Sequence, residues 1–395
     1  MKSNKHFLRI WLYSFVSNFS LLYTPIIFLF FEAKGVNIAQ IGILFGIGSL
    51  VTILTEVPIG VFSDNYSRKL SVLLGGISTI IGLVIYITGY GFFSMAIAMS
   101  MISLGIAFKS GATESILLTS IDNQDNFFQI NNYARYIATA LSATVIGLLY
   151  TIDSELPFLI AIACEAIILM LVLTVPNKRK NQSSSHNTSN GQTKITLNTV
   201  TQFMKVNLFI CIVLFTSCFF IPQFIVFFPE YLNVQRIPIE LFGVIYFVMN
   251  IIPLVGSVIY QKKLKTMDPE VLIIWSLLFF ACGMLLMGII KNVIIGLVIY
   301  GLLRVIIGWF WLIFSIYFND LSNDHNKATI LSIKGMIMNV AFILSDPLIG
   351  ILIFQLDIFY SYLFTSIFIF IIVISLSVKL LHEKRRSKHN VYFER

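Results

Sequence analysis

Several ionisable side chains lie inside long apolar stretches of this sequence of 395 residues. In a membrane-spanning helix such a group costs about 2.5–3.5 kcal/mol on insertion scales, which makes it a functional hypothesis by default. A buried cation can bind an anionic group, and a carboxyl group shielded from water can load and release a proton near neutral pH. We single out two cations and four carboxylates: Lys109, Arg304, Glu56, Glu114, Glu165 and Asp346.

Arg304 belongs to a stripe of residues with a 3-4-3-4 spacing, which places them on one face of a helix. The stripe combines small, cationic and aromatic residues, namely Gly301, Arg304, Gly308, Trp311 and Ser315. At 1.5 Å per residue, Arg304 lies about 18 Å from the start of its stretch, near the middle of a membrane. The stripe is suited to an anionic or amphipathic solute. The alternative is that Arg304 only pairs with a carboxylate such as Glu165.

Three of the carboxylates, Glu56, Glu114 and Asp346, are candidates for proton coupling. Each could exchange a proton if its helix shields it from water. A structural role in ion pairs at a gate is an equal alternative for each of them.

Other kinds of chemistry find no support in the sequence. The four cysteines all fall in apolar stretches, and no C-x-x-C pair or histidine cluster indicates a disulfide or a metal site. There is no nucleotide-binding P-loop and no acidic D-D-x-x-D cluster of the kind that membrane lipid transferases carry. We therefore expect no metal, no cofactor and no enzymatic activity.

The composition requires lipid as the main solvent. Hydrophobic residues make up 57% of the chain and charged residues only 12%, against about 25% charged in soluble domains. Stretches of about 20 apolar residues are long enough to cross a membrane, and they must be helices because every backbone polar group needs a partner within its own segment. The predicted spans are 10–31, 39–62, 70–89, 92–118, 132–152, 156–175, 206–229, 239–261, 270–290, 292–318, 329–353 and 358–381.

The distribution of positive charge predicts the orientation. Of 27 lysines and arginines, 22 fall in the segments on the side of the N-terminus and three in the opposite loops. Positive loops stay in the cytoplasm, so both termini are predicted there. The net charge of +8 then faces the anionic inner leaflet, and no nucleic-acid partner is needed to explain it.

The twelve spans divide into two sets of six. Residues 176–205 form a polar, Asn- and Ser-rich segment that predicts a cytoplasmic linker between halves 1–175 and 206–395, the latter ending in a basic tail. The halves are faintly alike, since Glu32-x-x-x-Val36 recurs as Glu230-x-x-x-Val234. We therefore predict an all-α membrane protein with twelve transmembrane helices in two six-helix bundles related by pseudo-twofold symmetry.

The loop after the second span carries a recognisable motif. Residues 60–69 read GVFSDNYSRK, which resembles the G-x-x-x-D-R-x-G-R-K signature of the major facilitator superfamily. Four residues match, Gly60, Asp64, Arg68 and Lys69, and we predict that they form a gate. Gly60 would permit close helix approach, and Asp64 would face the start of span eleven.

The resemblance implies which spans line a central cavity, namely one, four, seven and ten. The cavity candidates are Arg304, Lys109, Trp311, Asn18 and Gln223. For Asn18 and Gln223, ordinary hydrogen bonding between helices is the favoured alternative. Glu165, on a peripheral span, is expected to be structural. The chain departs from drug–proton antiporters of the superfamily, because 138–147 lacks their proline-containing signature.

Together these observations predict a secondary transporter of the bacterial cytoplasmic membrane, in a drug-efflux-like branch. It would move a small organic or amphipathic solute by alternating access, coupled to protons, as a monomer among membrane lipids, with export slightly favoured. The alternatives are a lipid or lysolipid flippase on the same scaffold and, less favoured, a membrane enzyme or a scaffold protein.

Overall fold

The computed structural model describes residues 2–110, 112–113, 124–174, 207–220, 225–321 and 327–393. At 2–10, 64, 124–133, 136, 319–320, 327–329, 331 and 379–393 it describes the backbone alone. The predicted linker 176–205 lies outside the described residues.

Helices account for nearly all of the described chain, which contains no strand. They are α1 (Lys2–Phe19), α2 (Ile27–Ala33), α3 (Ile38–Asn65), α4 (Arg68–Thr88), α5 (Gly91–Lys109), α6 (Gln124–Ile152), α7 (Leu156–Leu173), α8 (Leu208–Cys218), α9 (Phe228–Val234), α10 (Ile239–Ile259), α11 (Pro269–Ile289), α12 (Val293–Asp320), α13 (Lys327–Leu356) and α14 (Ile358–Phe393). A 3₁₀ segment (Ser20–Ile26) joins α1 to α2, and a π turn (Tyr260–Leu264) follows α10.

The predicted class is confirmed. Ten described helical segments are long and apolar enough to cross a membrane, and shorter apolar helices cover Ile137–Ile152 and Leu208–Cys218. Each of the twelve predicted spans therefore contains a helix.

Three of the predicted spans are not continuous α-helices, which corrects the sequence-based boundaries. Span four was expected over 92–118, but α5 ends at Lys109 and Ser110 is extended. Span seven, expected over 206–229, holds the separate helices α8 and α9. In span one, Pro25 lies inside the 3₁₀ segment. The ring removes a backbone N–H, and the hydroxyl of the preceding Thr24 donates to Leu21 O at 2.9 Å.

Polar side chains fix where several helices begin. Asn37 and Gln40 form a reciprocal capping box at the start of α3, which satisfies backbone N–H groups that have no partner within the helix. The Ser67 hydroxyl caps α4 by accepting from Leu70 N, and Asp268 caps α11. These caps define the short loops between long apolar helices.

Packing divides the chain into two compact units. Unit 1 comprises Met1–Phe247 with Ser332–Ile351, and unit 2 comprises Val248–Leu331 with Leu352–Arg395. In unit 1, an aromatic cluster of Tyr23, Phe30, Tyr86 and Phe158 ties α2, α4 and α7 together. In unit 2, Trp309 Nε1 on α12 donates to the buried Ser276 hydroxyl on α11 at 2.9 Å.

Two glycine crossings bring helices of unit 1 into backbone contact. Where α3 crosses α13, a Cβ on Gly350 would lie 3.0 Å from Gly42 Cα. Where α6 crosses α10, a Cβ on Gly147 would lie 2.8 Å from Ile239 O, and Gly243 is equally confined. Such contacts need residues without side chains. Gly60 was expected to serve this purpose; a Cβ there would meet none of the described atoms within 4 Å, and its role in close helix approach stays a prediction.

Candidate functional site

Arg304 is held in place by a defect in the neighbouring helix. Pro253 lies inside α10 and has no N–H, so the carbonyl of Met249, four residues earlier, lacks its helical donor. Arg304 Nε on α12 donates to that carbonyl at 2.9 Å. Arg304 Nη2 also donates to Asn250 Oδ1 at 3.0 Å. The guanidinium is therefore fixed by two acceptors from α10.

Both acceptors are neutral, so the positive charge of Arg304 is not compensated by them. A guanidinium has five N–H donors, and two have partners within the described residues. The remaining donors can bind an anionic group, and the half-buried position limits competition from water. Binding of an anionic group by Arg304 stays a prediction.

The rest of the predicted stripe has a different role. A Cβ on Gly301 would contact Ile252 Cδ1 at 3.4 Å, and Gly308 is pressed against the backbone of Pro253. Ser257 Oγ donates to Gly308 O at 3.1 Å. These glycines serve close packing of α12 on α10, while Trp311, half-buried, packs on the rings of Phe310 and Phe314.

The alternative partner of Arg304 is engaged elsewhere. Glu165 on α7 forms an ion pair with Lys109 at the end of α5, with Nζ 2.9 Å from Oε1. The exposed fraction is 4% for Glu165 and 19% for Lys109, so the carboxylate is buried and the ammonium is half-buried within unit 1. Among the described residues, Arg304 donates to neutral acceptors, and the Glu165 carboxylate pairs with Lys109.

Glu165 contacts residues at the ends of two helices, Ser20 after α1 and Lys109 at the end of α5. Ser20, the first residue of the 3₁₀ segment, donates its hydroxyl to Glu165 Oε1 at 3.4 Å. Glu165 Oε2 is buried and has no hydrogen-bond partner among the described residues. One turn beyond Lys109, the Thr113 hydroxyl accepts from Tyr13 OH at 3.3 Å. The polar interior of unit 1 thus links spans one, four and six.

Of the coupling candidates, Asp346 is the one that the described structure buries. Its side chain is 5% exposed, and Oδ1 has no hydrogen-bond partner within the part of the chain that the structure describes. It lies at the crossing of α3 with α13, where its own backbone carbonyl contacts Gly42. Glu56 is exposed on α3, and Glu114 lies outside the described residues.

The loop motif is only partly described. The backbone of Asp64 lies in the last turn of α3, and its side chain is not among those described. Arg68 begins α4, and Lys69 Nζ donates to Leu173 O at the end of α7, at 2.8 Å. Lys69 therefore anchors one helix end of unit 1 to another.

The two polar lining candidates give no support to a cavity role. Asn18 Nδ2 donates to Ser14 O within its own helix, at 2.7 Å. Gln223 lies outside the described residues.

Two features were missed by reasoning from the sequence. The Met249 carbonyl could have been found from Pro253, which removes its donor. The repeated Glu32 and Glu230 interact electrostatically, and Phe28 and Phe227 near them pack edge to face with centroids 5.9 Å apart. Tyr231 follows Glu230 on α9. Burial raises the pKa of Tyr231, and a hydrogen bond from Gln235 opposes that rise.

Comparison with known proteins decides the family. The sequence profile of the Major Facilitator Superfamily matches residues 10–308. The chain belongs to this superfamily. Its structural neighbours are transporters rather than enzymes, as the sequence predicted, and no curated protein matches the chain.

Several solved structures of the superfamily share the fold. The nucleoside transporter NupG is 14% identical, with a TM-score of 0.75 over 94% of this chain and 98% of that one. A D-xylose–proton symporter is 14% identical, with a TM-score of 0.69 over 94% and 96%. A bacterial homologue of the iron transporter ferroportin, in an inward-facing state, is 13% identical, with a TM-score of 0.69 over 95% and 98%. At these identities the likeness concerns the fold alone.

Proposed function

We propose that the chain is a secondary active transporter that moves a small organic solute with an anionic group across the cytoplasmic membrane of a bacterium. It works by alternating access and is coupled to protons. The observation that carries this proposal is the guanidinium of Arg304. Two neutral acceptors bind it at 2.9 and 3.0 Å, and its other N–H donors have no partner among the described residues.

The arrangement around Arg304 favours an anion for two reasons. The guanidinium is already oriented, so little side-chain entropy is lost when a ligand binds. A carboxylate or phosphate can accept two parallel N–H bonds from one guanidinium, which is a strong and directional contact. An amphipathic solute would satisfy the same site if its polar end were anionic.

The glycine crossings support alternating access. Gly42 lies near the start of α3 and Gly350 near the end of α13, while Gly243 and Gly147 lie at the matching ends of α10 and α6. With the termini in the cytoplasm, these are the outer ends of the four helices. A Cβ on Gly60, near the inner end of α3, would meet none of the described atoms within 4 Å. We propose that the crossings are the outer gate in its closed form and that 60–69 belongs to the inner gate.

Asp346 is the coupling residue that this arrangement favours. An isolated ionised carboxylate is strongly disfavoured away from water, and the charged residues of α3, Glu56 and Asp64, lie near its other end. We expect Asp346 to hold a proton while α3 and α13 are packed, and to exchange it when the crossing opens. Export, slightly favoured by the sequence, stays a prediction.

The proposal is tested in proteoliposomes that contain a pH-sensitive dye. A panel of small carboxylates and phosphates is supplied with an imposed pH gradient, and solute and proton movement are recorded together. We expect at least one anionic solute to move with Arg304 intact and to stop moving in Arg304→Ala. Lys265→Ala, which removes an exposed cation, is the control and should behave as wild type.

Two outcomes would contradict the proposal. Equal flux in Arg304→Ala and wild type would remove Arg304 from the binding site. Movement of a labelled lipid between leaflets, with no flux of any solute in the panel, would favour the flippase.

A further inference from the structure

The two glycine crossings of unit 1 make matching backbone contacts but differ in the residues beside them. Where α3 crosses α13, a Cβ on Gly42 would contact Asp346 O. Where α6 crosses α10, a Cβ on Gly243 would lie 2.5 Å from Ala143 O. Asp346 and Ala143 each lie one helical turn before the second glycine of their crossing. They therefore occupy matching positions, and only the first crossing has an acidic residue there.

The close contact of the helices does not require an acid at this position, because alanine serves in the second crossing. The Asp346 side chain is buried, and its Oδ1 has no hydrogen-bond partner among the described residues. A buried carboxylate oxygen is normally paired, and an ionised one without a partner is strongly disfavoured. The presence of Asp346 therefore calls for a reason other than packing.

The residue after Asp346 removes a backbone donor. Pro347 lies inside α13 and has no N–H, so the carbonyl of Ile343, four residues earlier, lacks its helical donor. In the second crossing the matching carbonyl is Ala140 O. Thr144 stands there in place of Pro347; it keeps its N–H, and its hydroxyl also donates to Ala140 O at 2.8 Å. The crossing with the acid is thus also the one whose carbonyl has lost its helical donor.

This carbonyl and the carboxyl group share one turn of α13. Helical side chains lean toward the N-terminus, so the carboxyl group of Asp346 lies over the turn that contains Ile343. The carbonyl of Ile343 points the other way along the helix, toward Pro347. Helix α3 covers this turn, since a Cβ on Gly46 would lie 3.3 Å from Ile343 O and 3.0 Å from Pro347 Cγ. A single proton between carboxyl group and carbonyl would satisfy both acceptors.

We infer that Pro347 is a positioning residue for the proton of Asp346, because the carbonyl that it frees, Ile343 O, accepts a hydrogen bond from the protonated carboxyl group. This inference rests on the proposed function, in which Asp346 exchanges the proton. A hydrogen bond to the neutral form of a carboxyl group favours that form. The proton comes from water and returns to water when α3 separates from α13 and Ile343 O becomes hydrated.

The surroundings of Asp346 offer no competing charge. Helix α3 faces it with glycines, and the charged residues of that helix, Glu56 and Asp64, lie near its other end. On α13 the nearest charged residue, Lys334, is more than three helical turns away. Among the described residues, no charged side chain interacts with Asp346. The alternative partner is the neighbouring Ser345, whose buried hydroxyl has no hydrogen-bond partner in the described part of the chain.

The test is infrared difference spectroscopy of the full-length reconstituted protein as the pH is lowered. We expect a carboxylic C=O band that Asp346→Asn loses. In Pro347→Ala the restored N–H occupies Ile343 O, so the pH at which half of the band is present should fall by about half a unit to one unit. The pH profile of proton-coupled flux should move in the same direction. If Pro347→Ala does not fold, Pro347→Gly, which also restores the N–H, replaces it.

Two controls separate this role from a general effect on packing. Pro58→Ala changes another proline inside a spanning helix, and Ser345→Ala removes the alternative partner. Both should titrate as wild type does.

The inference is overturned if the proline variant that folds titrates as wild type does. It is also overturned if Ser345→Ala shifts the midpoint as far as Pro347→Ala does. Either outcome leaves Asp346 as the coupling residue of the proposed function, and anion transport is tested separately at Arg304.

Discussion

Two half-buried cations, Lys109 and Arg304, are held in opposite ways. In unit 1, Lys109 faces a carboxylate, and the pair is neutral as a whole. In unit 2, Arg304 faces a backbone carbonyl and an amide, and its charge remains. A charge of the first kind is already balanced by its partner. A charge of the second kind is available at once.

This difference explains why one protein would use both arrangements. A fixed, uncompensated guanidinium gives affinity for an anion but no link to the proton. A compensated ammonium gives little affinity, because its carboxylate partner already balances the charge. We therefore expect Arg304 to bind the anion and Lys109 to stabilise unit 1, and each of the following substitutions sharpens or breaks that division.

The largest expected effect on stability is at Lys109. Lys109→Gln leaves Glu165 buried without its counter-ion, and breaking a buried pair in this way costs about 3–5 kcal/mol. Thermal unfolding of the purified protein measures the loss. The double variant with Glu165→Gln is the control and should recover most of the loss.

Arg304→Gln should be less destabilising, because no buried carboxylate loses its partner. The variant leaves the Met249 carbonyl without its donor, which costs about 1–3 kcal/mol. Thermal unfolding of Arg304→Gln and Lys109→Gln, measured under the same conditions, shows which variant loses more stability. A loss at Arg304 equal to that at Lys109, and relieved by acid, would reveal a carboxylate partner and break the comparison.

Asn250 should matter for affinity more than for stability. Asn250→Ala removes one of the two acceptors that orient Arg304, worth about 1 kcal/mol or roughly fivefold in solute affinity. The measurement is the solute concentration that gives half-maximal flux. Asn292→Ala, at the cap of α12 and far along the helix from Arg304, should leave that concentration unchanged.

The smallest stability effect is expected at Asp346. Asp346 has no described partner, and a neutral carboxyl group resembles an amide in size, so Asp346→Asn should change unfolding by less than about 1 kcal/mol. Proton movement in the flux assay should nevertheless fall. A large loss of stability would mean that Asp346 is ionised and paired, whereas its Oδ1 has no partner among the described residues.

The sequence predicted the helices well because each membrane span is a continuous run of apolar residues. Twenty apolar residues imply a helix wherever they occur, and the Gly60-to-Lys69 motif indicated the family. Contacts between distant residues left no such signal. No residue near Lys109 in the sequence indicates that Glu165, on another helix, is its partner. The sequence also does not distinguish Gly42, which lies in a close helix crossing, from Gly60, where a Cβ would meet none of the described atoms within 4 Å.

Part of the site could nevertheless have been found. Pro253 removes the donor for Met249 O, and that alone indicates that some side chain must supply another. The breaks at Ser20 and Lys109 were harder to predict, because apolar content continues through both. The outer position of the glycine contacts depends on crossing geometry, which the spacing of glycines along one chain does not contain.

The central claim, that Arg304 presents an uncompensated charge to an anionic solute, is tested most directly by calorimetric titration of the purified protein. An anionic solute from the flux panel is compared with its neutral amide, on wild type and on Arg304→Ala. We predict that wild type binds the anion and discriminates against the amide, and that Arg304→Ala loses the discrimination while Lys265→Ala keeps it. Binding of both ligands with equal affinity by wild type, or unchanged discrimination in Arg304→Ala, would contradict the account.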